Sequence, residues 1–297
     1  IAIMAIPVQA LSATCMKPNM KPEILKSLGF DGTGYEHDYW QTEPYEIKAT
    51  FDGFVVSFDG QDDDNGDGKS DALGIPAFVA HQVKRLGDPG KNPKCIQKRP
   101  APAVWCAPPE LVRRKIAPTD LSYHYSNAWR RSHPDWFVRG ALASAVLTER
   151  VGDAPDTMGR AAWNTHTVLN AVPQRASLNR GIWRDLEDIT GRWAQAYGNI
   201  WIIAGPIIAD GHAIGVIGTG STKKVAIPDA FFKIVIRKNV EDADKPVVLA
   251  FLYPQVGPGY APGKGGYDHA RFLTSVDEIE SRTGLDFLTL LSNEGER

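Results

Sequence analysis

The sequence predicts an α+β fold, one central sheet with helices packed against it, and three features carry that expectation. Apolar strings of strand length recur between turn residues, among them Phe54-Val55-Val56 and residues 200–204, 231–236 and 247–252. One long stretch, residues 180–197, instead places Ile182, Leu186, Ile189 and Trp193 at helical spacing. Ser275-Val276-Asp277-Glu278 forms a capping box, the signature of a last helix that stops near Gly284.

Taken in order, residues 1–13 are an apolar run without charge. They read either as an ordered core strand or as a signal remnant. Val8-Gln9-Ala10 resembles a cleavage site, but the basic start of a signal peptide is missing. The run is too short to span a membrane. Residues 1–120 are rich in Pro, Gly and Asp and read as an N-terminal extension packed on the rest; residues 121–297 have a more regular texture. Residues 142–150 fit a strand or a short helix, and residues 200–204 a buried strand ended by Gly205-Pro206.

Hydrophobic residues at 43% and charged residues at 23% place the chain among soluble globular proteins. A net charge of -2 excludes a histone-like blanket of positive charge, yet leaves room for a local basic groove that holds phosphates. No Cys-x-x-Cys spacing calls for zinc; Cys95 and Cys106 flank a Pro-rich segment and could bridge in an oxidising compartment, leaving Cys15 over.

An acidic loop carries Asp63, Asn65, Asp67 and Asp71 at nearly alternate positions around Gly68. Calcium takes six to eight oxygen ligands from such a wrapping loop. The twelfth-position Glu of an EF-hand is absent, since that place is Gly74. Two readings stay open: a structural Ca²⁺ site, or a solvated Asp/Gly-rich turn.

The informative stretch contains three blocks: Val138-Arg139-Gly140-Ala141, then Asn170-Ala171-Val172-Pro173-Gln174, then Asn179-Arg180-Gly181-Ile182-Trp183-Arg184-Asp185-Leu186-Glu187. Here the sequence resembles the DNA/RNA non-specific endonuclease family, the ββα-metal nucleases of the Serratia nuclease and endonuclease G type. Its signature reads Asp-Arg-Gly-His, Asn-x-x-Pro-Gln and Asn-x-Gly-x-Trp-x-x-Leu-Glu. The second and third blocks match at every signature position; packing alone gives no reason for so many polar residues to recur at fixed offsets. The resemblance extends over residues 121–293.

The resemblance implies a ββα-metal fold with a mainly antiparallel central sheet, and hydrolysis of phosphodiester bonds in DNA and RNA. It implies one Mg²⁺ (Mn²⁺ as an alternative) with Asn179 as the direct protein ligand and water in most other positions. Glu187, eight residues further on a helix, would orient metal-bound water. Asn170 would orient the general base or substrate, and Arg139 would bind or brace the phosphate. An arginine expected four residues after Glu187 is Gly191, with Arg192 or Arg184 as substitutes. Each residue also has a plainer role: Asn170 as a turn residue, Asn179 as a helix cap, Glu187 as a solvated helix residue.

The general-base position itself is Ala141, where the family has histidine. Alanine accepts no proton, and loss of a general base removes a factor of about 10²–10⁴. The chain is therefore expected to be a disarmed nuclease, through an engineered His→Ala change or as a natural pseudo-nuclease that binds without cutting. Val138 in place of the leading Asp is a milder departure. His166, four residues before Asn170, is a second histidine in reach of the motif, and a structural role suits it.

Phosphate contacts are expected from Arg130 and Arg131, from Arg139 and Arg184, and with less support from Arg113, Arg114 and Lys115. The partners expected are DNA and RNA and no membrane, in a secreted or periplasmic setting. A calcium-stabilised binding protein and a polysaccharide-active or adhesion protein are the competing classes; the second lacks a suitable carboxylate pair.

Overall fold

A computed structural model describes residues 11–12, 47–51, 53–58, 73–85, 105–113, 115–125, 131–133, 135–148, 161–209, 213–218, 222–239, 241, 246–257, 260 and 266–288. The acidic loop with Asp63, Asn65, Asp67 and Asp71 lies outside these residues, as do Cys15, Cys95, Arg114 and Arg130.

Twelve strands are described: β1 (Leu11–Ser12), β2 (Ile47–Thr50), β3 (Val55–Phe58), β4 (Pro76–Val83), β5 (Phe137–Ala141), β6 (Ala171–Arg175), β7 (Ile200–Ile207), β8 (Gly215–Ile217), β9 (Val225–Ile227), β10 (Ala230–Arg237), β11 (Val247–Pro254) and β12 (Leu273–Thr274). Eight of them form one sheet in the order β1-β2-β3-β4-β7-β10-β11-β12. All neighbours in it pair antiparallel except β1 and β2. The sheet thus draws on both sides of residue 120. Helix α1 (Arg184–Tyr197) and helix α2 (Val276–Thr283) are the two longest helices described.

Alternation explains why the central strands are apolar without a break. Along β10, Phe231 and Val235 enter one core, whereas Phe232, Ile234 and Ile236 enter a second core on the opposite face. In β7, Ile200, Ile202 and Ala204 face the first and Trp201, Ile203 and Ile207 the second. The first core also takes Ile182, Trp183, Leu186 and Ala194 around α1, and the second takes Val276 and Ile279 of α2 with Phe287. A sheet buried on both faces needs no polar stripe.

Three boundaries differ from the sequence expectation. The strand at 200–204 runs on through Gly205-Pro206 to Ile207. Beyond Ala204, β4 no longer forms ladder pairs with β7, so a proline at 206 interrupts no pairing on that side. A side chain on Gly205 would meet the Phe232 ring and the Ala77 carbonyl, which accounts for glycine there. The helix expected from 180 starts at Arg184, after a wide π-type turn over Asn179–Trp183. The ambiguous 142–150 segment holds a short helix, Ala145–Thr148. The last helix follows its capping box: the Ser275 hydroxyl accepts from the Glu278 N–H at 3.1 Å, and Gly284 closes it with a φ of 70°.

Candidate active site

β5 and β6 form a separate antiparallel hairpin in which Arg139 faces Pro173 and Ala141 faces Ala171. β6 then runs directly into a turn of helix, Ala176–Leu178, the π-type turn and α1. The three motif blocks are therefore consecutive parts of one strand–strand–helix unit. Pro173 is tolerated because β6 pairs on one side only, and its carbonyl accepts from Gln255 Nε2 at 2.7 Å.

Asn170 is wholly buried just ahead of β6. Its Nδ2 donates to the carbonyls of Ala143 and Thr165, both at 2.9 Å, and its Oδ1 accepts from the Ala143 N–H at 2.8 Å. Its own carbonyl accepts from Leu142 N–H at 3.1 Å. The side chain is thus committed to fixing the backbone that follows Ala141. It acts on position 141 through that loop, with no side-chain donor left over.

Asn179 has ordinary helical angles, φ -61° and ψ -44°, and so is not an N-cap of the helix that follows. Its Nδ2 donates to Gln174 Oε1 at 2.7 Å, while Oδ1 accepts no hydrogen bond from any described residue. Gln174 in turn lies flat against Gly140, where any side chain would collide with it. The amide nitrogen of Asn179 is therefore committed to Gln174, and its oxygen has no donor among the described residues.

Glu187 is half-buried on α1. Burial raises its pKa above the usual carboxylate range; the Lys233 ammonium and the Ser144 hydroxyl pull in the opposite direction, and Asp188 adds to the rise. The Trp183 indole N–H, which completes no hydrogen bond, also favours the ionised form. Lys233 rises from β10 into the first core, fully buried, with its Nζ 3.9 Å above the Trp183 ring. Burial depresses its pKa to about 8 against the pull of Glu187. Asn179 thus contacts Gln174, which covers Gly140, and Glu187 contacts Ser144 in the loop that follows; Ala141 falls between Gly140 and Ser144 in sequence.

Arg139 pairs with the buried Asp120 carboxylate, and its guanidinium stands 5.1 Å from the Trp105 ring centre. Asp120 also accepts from Trp105 N–H at 3.0 Å and sits 2.7 Å from His124 Nε2. Arg139 and Ala141, two residues apart on β5, project from the same face of the hairpin. Arg131 and Arg184 are exposed, as are Arg113, Lys115 and Arg192. Cys106 is disulfide-bonded, and its partner lies outside the described residues.

Sequence reasoning gave no role to Gln174, Ser144, Asp120 or Lys233. For Lys233 a signal existed: it is the one charge inside the apolar run 231–236, and a lysine there must find a carboxylate or an aromatic face. Among the described residues no group of three or more His, Cys, Asp or Glu side chains is placed to hold a metal. The donors present, an amide oxygen without a described hydrogen-bond partner and a carboxylate eight residues further along, fit a cation that keeps most of its water. No described helix is long and apolar enough to cross a membrane.

Comparison with known proteins adds a second line. The DNA/RNA non-specific endonuclease family matches residues 70–294. A nuclease of Serratia marcescens is 31% identical over 147 residues, 48% of this chain and 51% of that protein. The mitochondrial nuclease EXOG of Danio rerio is 24% identical over 227 residues, 74% of this chain and 57% of that protein. The chain spans about half the length of the curated relatives it matches. Among solved structures, one of the EndoG/EndoGI complex, described as showing the mechanism of EndoG inhibition, superposes with a TM-score of 0.56 at 19% identity. It covers 92% of this chain and 93% of that one, a likeness of fold.

Proposed function

Since the chain belongs to the DNA/RNA non-specific endonuclease family, we propose that its strand–strand–helix unit is a divalent-metal site for hydrolysing DNA and RNA, impaired in this chain by Ala141. The observation that supports this reading is that Asn179 contacts Gln174, which covers Gly140, and Glu187 contacts Ser144, so their partners adjoin the chain on either side of Ala141 in sequence.

In this reading Asn179 Oδ1 would hold Mg²⁺, or Mn²⁺ in its place, and Glu187 would accept hydrogen bonds from the water around it. The ion, when bound, would neutralise charge gathering on the phosphoryl oxygens and the leaving oxygen. Arg139, anchored by Asp120, offers its remaining N–H donors to the phosphate, and Asn170 holds the base-bearing loop. Arg130, Arg131 and Arg184 add contacts to the phosphodiester backbone, which carry no sequence information. A histidine at 141 would take the proton of the attacking water; alanine leaves that step to weaker acceptors, at a cost of about 10²–10⁴ in rate. The acidic loop would hold a structural Ca²⁺. The disulfide at Cys106 favours a secreted or periplasmic setting.

The test is Ala141→His, assayed for Mg²⁺-dependent cleavage of duplex DNA and of RNA. Recovery by about 10² or more supports an engineered or otherwise simple loss of the base. Tight, salt-sensitive binding without cleavage in the restored protein would overturn the enzyme reading in favour of a pseudo-nuclease.

A further inference from the structure

We propose that His166 is a second proton acceptor of this site, able to activate water slowly when position 141 carries alanine. The inference rests on the reading of the site as a nuclease and adds to it a residue outside the three motif blocks.

The geometry sets the tautomer first. His166 Nδ1 faces three oxygens: the carbonyls of Ala162 and Trp163, each at 3.3 Å, and Thr165 Oγ1 at 3.4 Å. Thr165 Oγ1 spends its own proton on the Ala162 carbonyl at 2.7 Å, so all three are acceptors. Nδ1 must therefore carry the hydrogen, and Nε2 of the neutral ring presents a lone pair. No described group bonds Nε2, and the residue is only partly buried.

The placement comes next. The ring meets Trp105 edge-on, with centres 5.3 Å apart, and Arg139 stands over the same indole. Asn170 binds Thr165, the neighbour of His166, and Ala143, two residues beyond Ala141. One buried amide thus ties both histidine-competent positions to the same frame. The His166 backbone is further fixed by Cys106, whose N–H donates to its carbonyl at 3.0 Å.

Electrostatics decides between two roles. Burial and the Arg139 charge keep the ring neutral, against the opposing pull of the Trp163 and Ala162 carbonyls. A phosphate-gripping histidine needs the opposite state, whereas a general base needs this one. Arg139 is the charged group acting on the ring; Asp120 pairs with Arg139 and with His124. In the step proposed, the water oxygen bonds to phosphorus while its proton passes to Nε2. The bridging P–O bond breaks, the leaving oxygen takes a proton from solvent water, and the imidazolium returns its proton to solvent.

The experiment measures Mg²⁺-dependent cleavage by the chain with Ala141 and by the Ala141→His protein, each with and without His166→Asn. Asparagine keeps a donor for the Ala162 and Trp163 carbonyls and lacks a titratable base. We expect His166→Asn to lower the residual rate of the Ala141 chain by at least about tenfold, and that of the Ala141→His protein by less than about threefold. Added imidazole should restore the lost residual rate. The residual rate should rise with pH to a plateau whose midpoint lies below the ordinary histidine value of 6.5, a profile His166→Asn removes. Equal losses in both backgrounds, no change in the Ala141 chain, or no residual cleavage to begin with would each overturn the inference alone if Ala141→His cleaves. If Ala141→His does not cleave either, the nuclease reading itself fails.

Discussion

Replacing Asn170 by alanine isolates the frame of the site from its chemistry. The substitution strips partners from three buried backbone groups, the Ala143 N–H, the Ala143 carbonyl and the Thr165 carbonyl. Each such group left unpaired costs about 1–3 kcal/mol, so relaxation included, about 3–5 kcal/mol of stability should be lost. Asn170→Asp keeps the acceptor for Ala143 N–H but turns an anionic oxygen toward two carbonyls, and should be no better than alanine. Urea unfolding of the three proteins measures this as a fall in midpoint at unchanged slope. A loss below about 1 kcal/mol for alanine, or an aspartate variant close to the parent, would refute the clamp.

Gly140→Ala should displace Gln174, free the Asn179 amide and weaken Mg²⁺ binding severalfold, as read by titration calorimetry, at a stability cost of about 1–3 kcal/mol. Lys233 has its pKa depressed from 10.5 to about 8 in the fold, so the folded state binds fewer protons than the unfolded one between those values. Stability from that group is fully present above 10.5 and lost as pH falls toward 8; Lys233→Met should flatten this segment of the stability-versus-pH curve measured in EDTA. Reducing the Cys106 disulfide should lower stability by about 2–4 kcal/mol, and non-reducing peptide mapping should give Cys95 as its partner.

The site blocks were legible because chemistry needs particular polar atoms at particular offsets. Asn179 and Glu187 are eight residues apart in sequence, and the fold brings them against Gln174 and Ser144 respectively. What sequence hid were long-range partners. Nothing near Arg139 in the chain announces Asp120, nineteen residues earlier, as its counter-ion. The apolar runs announced strands but not their ends, because a strand edge depends on where the neighbour stops, as Pro206 shows beside β4. The wide turn before α1 was hidden as well. Gly181, whose angles there are not helical, has no room for a side chain beside the Tyr260 carbonyl, a neighbour 79 residues further along the chain.

The sheet with a core on each face gives experimenters a built-in control. Phe287 packs against Phe78 and Phe232 on the side of the sheet away from the hairpin and α1. Trimming it weakens the scaffold by a graded amount while every polar group around Ala141 keeps its neighbours. A ladder of such changes calibrates how activity responds to looseness alone. Any site variant that falls below that line has lost something specific.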